Sequence, residues 1–222
     1  MTHQRAWVTI RGWFSSTASE ELMMIRCLRS ACVVFLIVLT ALAQNPVNPV
    51  LRPPAGAQVA MVMFEDLECP DCRRAAPVLE EAARKYNIPL LVHDFPLPSH
   101  AWSFAAAVMA RYFDSQSKTV GDQYRDYVFE HQPEITHDTL RAFSEKFASE
   151  HKIDLPKVVD PQGKFAQQVA ADRDLAYDMR LRGTPTIYVV SQTQVKSLVE
   201  DVDPSELGQL IEAMKSDEAG GR

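Results

Sequence analysis

Cysteine is scarce in this chain of 222 residues, which contains only four. Two of them, Cys27 and Cys32, lie in a segment with the features of a targeting sequence, so Cys69 and Cys72 are the pair expected in the mature protein. A single Cys-x-x-Cys motif without a second one does not suit a structural zinc site. A disulfide that closes so short a loop would restrain the unfolded chain little. The pair is therefore a better candidate for redox chemistry than for stabilising the fold.

Positive charge is also in short supply. Lys and Arg together number 23 against 29 Asp and Glu, which gives a net charge of −6, and no cluster of basic residues follows residue 43. An acidic surface repels phosphate backbones. Nucleic acid is therefore not expected as a partner.

The most apolar run in the sequence is too short to cross a bilayer. Residues 31–43 make up thirteen positions, whereas a spanning helix needs roughly 20. Arg26 and Arg29 precede this run and an Ala-Leu-Ala sequence ends it, which is the pattern of an export signal that is cleaved before Gln44. Residues 1–43 are thus predicted to be a targeting segment.

Two alternatives to this interpretation stay open. Met23 or Met24 would start a signal of ordinary length, in which case residues 1–22 are not translated. The second alternative is that the segment is not cleaved and stays in the mature protein as a membrane tether. In either case the sequence predicts an exported protein of the periplasm or another extracytoplasmic compartment, where disulfides persist.

The first part of the expected mature chain predicts a strand, a helix and a second strand. Residues 44–56 are rich in proline and are predicted to be an extended leader. Residues 58–64 form an unbroken apolar run, which is typical of a strand covered on both faces. A helix is expected from the cysteines to about Tyr86, and residues 89–95 give the second strand. Such a unit within residues 57–98 predicts a parallel pair with a right-handed crossover.

The middle of the chain is predicted to be helical throughout. Residues 99–182 show four helical stretches, of which the last is expected to begin after Asp160 and to end near Gly183. This segment is interpreted as an inserted bundle whose aromatic residues form its core.

The last part of the chain returns to the sheet within residues 183–216. Residues 186–190 and 195–199 are predicted to pair as an antiparallel hairpin. Asp203 has the position of an N-terminal cap for a closing helix. Residues 217–222 are expected to be a flexible tail.

Several features together carry a family resemblance. A Cys-Pro-x-Cys motif at 69–72, an HDFPL segment at the second strand, a helical insertion and a GTPT sequence at 183–186 resemble those of the DsbA-type thiol:disulfide oxidoreductases, over residues 57–216. The resemblance implies an α/β protein with the thioredoxin fold, a βαβ unit plus a ββα unit, with a helical domain inserted before the cis-proline strand. It also implies that Pro185 is cis and lies against the cysteine pair, and that Thr184 offers main-chain groups to a bound peptide.

The expected chemistry follows from the position of the two thiols. Cys69 would lie at the N-terminus of a helix, where unpaired N–H groups and the helix dipole favour the thiolate. Cys72, one turn later, is expected to be more enclosed and to act as the resolving partner. Pro70 lacks an N–H and suits the first helical turn. The redox-active disulfide between Cys69 and Cys72 is the one redox group expected, with no metal and no other cofactor.

The sequence departs from the family pattern at two places. Asp71 occupies a position where well-known oxidases of this type carry histidine, and its carboxylate, with Glu65, Asp66 and Glu68 nearby, is expected to oppose a thiolate and make the pair less oxidising. Met63 stands where thioredoxin relatives often hold a buried acid. Glu65 is interpreted either as a replacement that transfers a proton or, with slight preference, as a solvated turn residue.

The leading hypothesis is an exported thiol:disulfide oxidoreductase that forms or exchanges disulfides in unfolded or partly folded proteins. It would work as a monomer with a membrane redox partner, either a quinone-linked oxidase or a thiol reductant. One alternative is a reductase or isomerase that a membrane donor keeps reduced. The other is a redox-silent module of thioredoxin type that binds peptides.

Overall fold

The computed structural model describes residues 48–198 and 202–220, and the predicted targeting segment, with Cys27 and Cys32, lies outside these ranges. Within them a 3₁₀ turn at Pro49–Leu51 precedes four strands and six α-helices. In chain order these are β1 (Val59–Glu65), α1 (Pro70–Tyr86), β2 (Leu90–Asp94), α2 (Ser103–Gln116), α3 (Lys118–His131), α4 (Leu140–Glu150), α5 (Lys164–Asp178), β3 (Thr186–Ser191), β4 (Val195–Leu198) and α6 (Pro204–Gly220).

Strand β1 is an inner strand of the sheet, whose order is β2-β1-β3-β4. It runs parallel to β2, with Met61 opposite Leu90, and antiparallel to β3, with Val62 opposite Tyr188. Strand β4 extends the sheet antiparallel to β3. All seven residues of β1 are buried, as expected for a strand covered on both faces. The predicted βαβ unit and antiparallel hairpin are both confirmed.

Alternate residues of β1 enter two different cores. Met63 packs in a cluster that includes Leu79 of α1 and Ile211 of α6. Phe64 belongs to a second cluster with Phe95, which follows β2. Because side chains alternate along a strand, the two clusters cover opposite faces of the sheet. The end of β1, from which the cysteine motif follows, is therefore held from both sides.

The predicted helical insertion forms four helices, α2 to α5. Phe113, Tyr124 and Phe147 meet in its interior, with ring centroids 4.4 Å to 5.2 Å apart. The Tyr124 hydroxyl lies 2.7 Å from the Ser144 hydroxyl, so its polar end is satisfied. These aromatic residues are core, as expected. Within residues 48–198 and 202–220 no helix is long and apolar enough to cross a membrane.

Helix α5 begins later than predicted. The sequence indicated a start directly after Asp160, but the helix begins at Lys164. Gly163 adopts a left-handed conformation with φ of 69°, which ends the preceding turn. Asp160 still satisfies the start of the helix, because its Oδ2 accepts a hydrogen bond from the N–H of Ala166 at 2.8 Å. Asp160 therefore accepts a hydrogen bond from the first turn of the helix, as predicted, but it lies four residues before the helix begins and not directly before it.

Two helix ends also differ from the expectation. Helix α5 ends at Asp178 instead of near Gly183, because Arg180 adopts a left-handed conformation with φ of 58° that interrupts the helix. Helix α6 continues to Gly220, so most of the segment 217–222 that was predicted to be a flexible tail is helical. Leu207, Ile211 and Met214 of α6 are buried, and their spacing keeps one face of the helix on the core.

Candidate active site

The cysteine motif lies at the junction between β1 and α1. Cys69 is the N-cap of α1 and Pro70 is its first residue, which suits a residue without an N–H. Both cysteines are free thiols and both are buried, with 6% of Cys69 and 0% of Cys72 exposed. Cys72 belongs to the face of α1 that packs on the core. Cys69 thus lies at the edge of the buried region, and Cys72 lies fully inside it.

The two thiols have opposite shifts in pKa. A hydrogen bond from the Cys72 thiol is the main cause that lowers the pKa of Cys69 to about 5, against the effect of burial, and the backbone N–H groups of Asp71 and Cys72 contribute in the same direction. Burial, with the charge of Cys69, raises the pKa of Cys72 above its usual range. At neutral pH Cys69 is thus a thiolate and Cys72 a thiol. A thiolate is both the better nucleophile and the better leaving group.

The segment before β3 faces Cys69. The peptide bond between Thr184 and Pro185 is cis, as the family resemblance implied, and the sulfur of Cys69 lies 3.3 Å from the carbonyl oxygen of Thr184. A groove of about 310 Å³ lies beside them and is lined by Asp71, by residues 182–186 and by Leu198. The fold therefore brings together the cysteine motif and the cis-proline segment, whose residues Cys69 and Thr184 are 115 positions apart in the chain.

Asp66 connects the cysteine motif to the loop after β2. Its backbone N–H points to the sulfur of Cys72 at 3.4 Å. Its buried carboxylate accepts hydrogen bonds from the N–H groups of Glu68 and Leu97, both at 2.7 Å, and lies 2.7 Å from Nδ1 of His100. The sequence predicted no role for Asp66 other than that of a negative charge near the cysteines. An Asp side chain commonly accepts a hydrogen bond from the N–H two residues later in a turn, and this pattern at Asp66 and Glu68 is the one sequence signal of the contact.

Glu68 has a structural role of the same kind. Its Oε2 accepts hydrogen bonds from the N–H groups of Trp102 and Ser103, at 2.7 Å and 3.1 Å, at the start of α2. A carboxylate at this position satisfies unpaired donors of a helix N-terminus. Glu68 and Asp66 are therefore bound to donors of the protein, instead of forming a free negative field beside the cysteines.

Glu65 is not a solvated turn residue, so the preferred interpretation of this residue was wrong. It is the last residue of β1, only 3% of it is exposed, and its Oε1 lies 3.2 Å from Nε of Arg125 in α3. Burial raises its pKa to about 8, although the Arg125 charge acts in the opposite direction. Met63 and Glu65 line the same cavity of about 290 Å³ between the sheet, α1 and α3. The buried acid thus lies two residues further along β1 than Met63, the position at which the family resemblance implied one.

Asp71 remains near the surface. Its carboxylate lies 2.5 Å from the guanidinium of Arg74, and both side chains are more than half exposed. Such an ion pair adds little to stability, but it offsets part of the Asp71 charge. Among the residues that the structure describes there is no cluster of three or more histidine, cysteine or acidic side chains suited to a metal ion.

The sheet, the cysteine pair at the start of α1, the facing cis-proline and the helical insertion define a protein of the thioredoxin fold, with an architecture similar to that of solved DsbA structures. The family model described as Thioredoxin matches residues 54–213, and the chain belongs to this family.

Solved structures of low sequence identity share the fold. Wolbachia pipientis alpha-DsbA1 superposes with a TM-score of 0.65 at 13% identity, over 80% of this chain and 96% of that one. A periplasmic thioredoxin-like protein from Salmonella enterica serovar Typhimurium gives 0.57 at 18% identity, over 73% and 87% of the two chains.

A curated relative is much longer than this chain. The Na(+)/H(+) antiporter NhaA 1 of Salinispora arenicola is 29% identical over 154 residues, which is 65% of this chain. The match spans 22% of the antiporter.

Proposed function

We propose that this protein is an exported thiol:disulfide oxidoreductase that forms or exchanges disulfides in secreted proteins through Cys69 and Cys72. The observation that carries the proposal is the placement of the two thiols: Cys69 caps the start of α1, 3.3 Å from the carbonyl oxygen of Thr184 at the cis peptide bond, and Cys72 is buried one turn further along the helix. Their environments lower the pKa of Cys69 to about 5 and raise that of Cys72. A merely structural disulfide has no need of such a difference.

In the first step a substrate thiolate attacks the Cys69 sulfur of the oxidised protein. The bond between Cys69 and Cys72 breaks, a mixed disulfide with the substrate forms, and Cys72 leaves and takes up a proton. In the second step another thiolate of the substrate attacks the substrate sulfur of the mixed disulfide and expels Cys69 as a thiolate. Two electrons pass from the substrate to the protein, and the low pKa of Cys69 makes it a good leaving group.

Glu65 is proposed as the proton carrier for Cys72. Cys72 is enclosed when it leaves as a thiolate, so its proton has to come from a nearby group. Glu65 is buried, and its pKa of about 8 keeps it protonated at neutral pH. Once it has given up its proton, the charge of its carboxylate acts on Cys72 and raises the pKa of that thiol, so the transferred proton is held there. The cavity that Glu65 lines is a route by which it could regain a proton.

The groove beside Pro185 is proposed to hold the substrate as an extended peptide. Thr184 and Pro185 line it together with Asp71, next to the Cys69 sulfur. Main-chain contacts at such a site are insensitive to side-chain identity, which suits unfolded or partly folded clients. A membrane redox partner, a quinone-linked oxidase or a thiol reductant, would restore the pair after each cycle, and the protein would act as a monomer.

Export is proposed from the pattern of residues 1–43 and is supported by the likeness to a periplasmic protein. The direct test is to express the full chain in a bacterial host and to determine the N-terminus and the compartment of the product. Cleavage before Gln44 in the periplasm supports export, and an uncleaved cytoplasmic product contradicts it.

Stoichiometric disulfide transfer tests the activity. Oxidised protein is mixed with a reduced unfolded substrate, and substrate thiols are counted over time. We expect each molecule to oxidise two substrate thiols, and we expect Cys69→Ser and Cys72→Ala to oxidise none because neither can form the Cys69–Cys72 disulfide. Offered a substrate that already holds a disulfide, Cys72→Ala should attack it through the Cys69 thiolate, release one substrate thiol and stay linked to the other sulfur. A pair that dithiothreitol cannot reduce until the protein unfolds would instead indicate the redox-silent module.

The partners trapped by Cys72→Ala in the native compartment decide the direction of electron flow. Secreted proteins as partners support oxidation. A membrane thiol donor as the main partner would support a reductase or isomerase.

A further inference from the structure

Gln132 reaches from the helical insertion into the connection between β1 and α1. It follows α3, and 8% of it is exposed. Its Nε2 donates hydrogen bonds to the carbonyl oxygens of Leu67, at 2.9 Å, and of Cys69, at 3.1 Å. Both N–H bonds of one side-chain amide are thus used on the loop that carries the reactive cysteine.

The carbonyl of Cys69 is a sensitive point of this loop. Cys69 is the N-cap of α1, with ψ of 121°, and its carbonyl also accepts the first helical hydrogen bond from the N–H of Arg73 at 3.2 Å. Rotation of this peptide would change ψ of Cys69 and therefore the direction of its side chain relative to the helix. The N–H groups of Asp71 and Cys72, which help to lower the pKa of Cys69, would then no longer point at its sulfur.

Gln132 and Asp66 hold the loop through different atoms. Asp66 bonds to the N–H of Glu68 and, through its own N–H, to the sulfur of Cys72. Gln132 binds the carbonyls of Leu67 and Cys69 from the end of α3, whereas the start of α2 contacts this loop through the side chain of Glu68. Without the amide the Leu67 carbonyl would lose this donor and the Cys69 carbonyl would keep only the N–H of Arg73, so we expect the loop to rearrange.

We infer that Gln132 is a positioning residue for Cys69, through which the helical insertion sets the reactivity of the cysteine pair. The inference deepens the proposed function, but it concerns a property of the thiol that can be measured without any substrate. Failure of the inference is therefore distinguishable from failure of the proposed function.

The test compares Gln132→Met with the control Gln116→Met. Methionine is similar in size to glutamine and carries no amide donor, and Gln116 is an exposed glutamine at the end of α2 in the same insertion. The pKa of Cys69 is measured from the ultraviolet absorbance of the thiolate, and the redox equilibrium is measured against glutathione. The free energy of unfolding is recorded for each variant.

In Gln132→Met we expect the pKa of Cys69 to rise by about one pH unit, which corresponds to a tenfold change in the thiolate equilibrium. The glutathione equilibrium should shift towards the oxidised form by up to the same factor, because the reduced form has lost thiolate stabilisation. Gln116→Met should change neither quantity. A Gln132→Met variant that is less stable but keeps both wild-type values would overturn the inference, since Gln132 would then only satisfy two buried carbonyls.

A second measurement needs no substitution at Gln132. The side-chain amide resonances of Gln132 are followed by NMR in the wild-type protein while pH is varied through the titration of Cys69, and again in Cys69→Ala. We expect a shift with the midpoint of Cys69 in the wild type and none in the variant. Amide resonances that do not respond to Cys69 would contradict the inference even if Gln132→Met did not fold.

Discussion

Oε1 of Glu65 and Nε of Arg125 lie 3.2 Å apart in the interior, where the end of β1 meets α3. The guanidinium of Arg125 also lies 3.0 Å from the carboxylate of Asp114 and 3.6 Å from that of Asp94. One buried cation therefore faces three acids. Burial raises the pKa of Glu65 to about 8, so this residue is protonated at neutral pH in spite of the cation beside it.

Glu65 makes the stability of the protein depend on pH. Its pKa is about 8 in the folded state and about 4.5 in the unfolded state, so between these values the folded state holds a proton that the unfolded state has lost. Stability should then fall as pH rises through this window, by at most about 1.4 kcal/mol per pH unit. Denaturant unfolding of the reduced protein at several pH values, with and without Glu65→Gln, measures the effect. The variant should show a flatter dependence.

The matched control for Glu65→Gln is Glu145→Gln. Glu145 is on the insertion, its side chain is 57% exposed, and it pairs with Arg141 on the same helix. A surface pair of this kind should leave the pH dependence of stability as it is in the wild type. If the free energy of unfolding changes equally with pH in the wild type and in Glu65→Gln, Glu65 keeps an ordinary pKa.

Local patterns in the sequence were sufficient for most of the fold. That Pro185 lies against the cysteine pair was implied by the family resemblance, whereas the apolar run at 58–64 predicted β1 and the Cys69-Pro70 sequence predicted the start of α1. These signals arise from neighbouring residues, because strand burial and helix capping leave their mark within a few positions.

At the site, the misinterpreted and the overlooked residue both have partners that are distant along the chain. Glu65 resembles the other acids of the turn that follows it, and its burial depends on Arg125 of α3. In the sequence Gln132 looks like any residue at a helix end. Its role depends on the fold, which places its amide against the carbonyls of Leu67 and Cys69, 65 and 63 residues earlier. Packing between elements decides both cases, and no local propensity reports it.

The hydrogen bond between the two cysteines can be tested with a pair of substitutions. The Cys72 thiol is the main cause of the low pKa of Cys69. Cys72→Ala removes this donor, whereas Cys72→Ser keeps one. A hydrogen bond to a charged group contributes about 1.5–3 kcal/mol, so Cys72→Ala should raise the pKa of Cys69 by about one to two pH units. Cys72→Ser should raise it less. Titration of the thiolate absorbance gives both values, and equal pKa values in the two variants would exclude this hydrogen bond as the cause.

Gly121 lets α2 and α3 approach closely. A Cβ at this position would lie 2.9 Å from the Cα of Asp114, a backbone contact that real side chains do not make. Asp114 also binds Arg125 through both oxygens, at 3.1 Å and 3.0 Å. Gly121→Ala should therefore lower the free energy of unfolding by about 1–3 kcal/mol, although alanine is the better helix former. Chemical denaturation measures this loss.

The control for Gly121→Ala is Gly183→Ala, since an added Cβ at Gly183 meets nothing within 4 Å. That variant should unfold within about 0.5 kcal/mol of the wild type. If Gly121→Ala is as stable as the wild type, the two helices move apart without cost and the close approach does not matter.

The charge of Asp71 is expected to make the cysteine pair less oxidising. Its carboxylate lies in the first turn of α1, close to the Cys69 thiolate, and Arg74 offsets it only in part because both side chains are more than half exposed. Asp71→His should stabilise the thiolate and with it the reduced form. Each 1.4 kcal/mol gained by the reduced form raises the two-electron potential by roughly 30 mV. The equilibrium with glutathione measures this shift.

Asp71→Asn separates loss of the negative charge from introduction of histidine. It removes the carboxylate and adds no cation, so its potential should lie between those of the wild type and Asp71→His. If both variants keep the wild-type potential, the Asp71 charge does not reach the thiolate through the exposed groove. If Asp71→His is more reducing than the wild type, the Asp71 carboxylate does not destabilise the Cys69 thiolate. The potential would then depend chiefly on the buried contacts of Cys69 with Cys72 and Thr184.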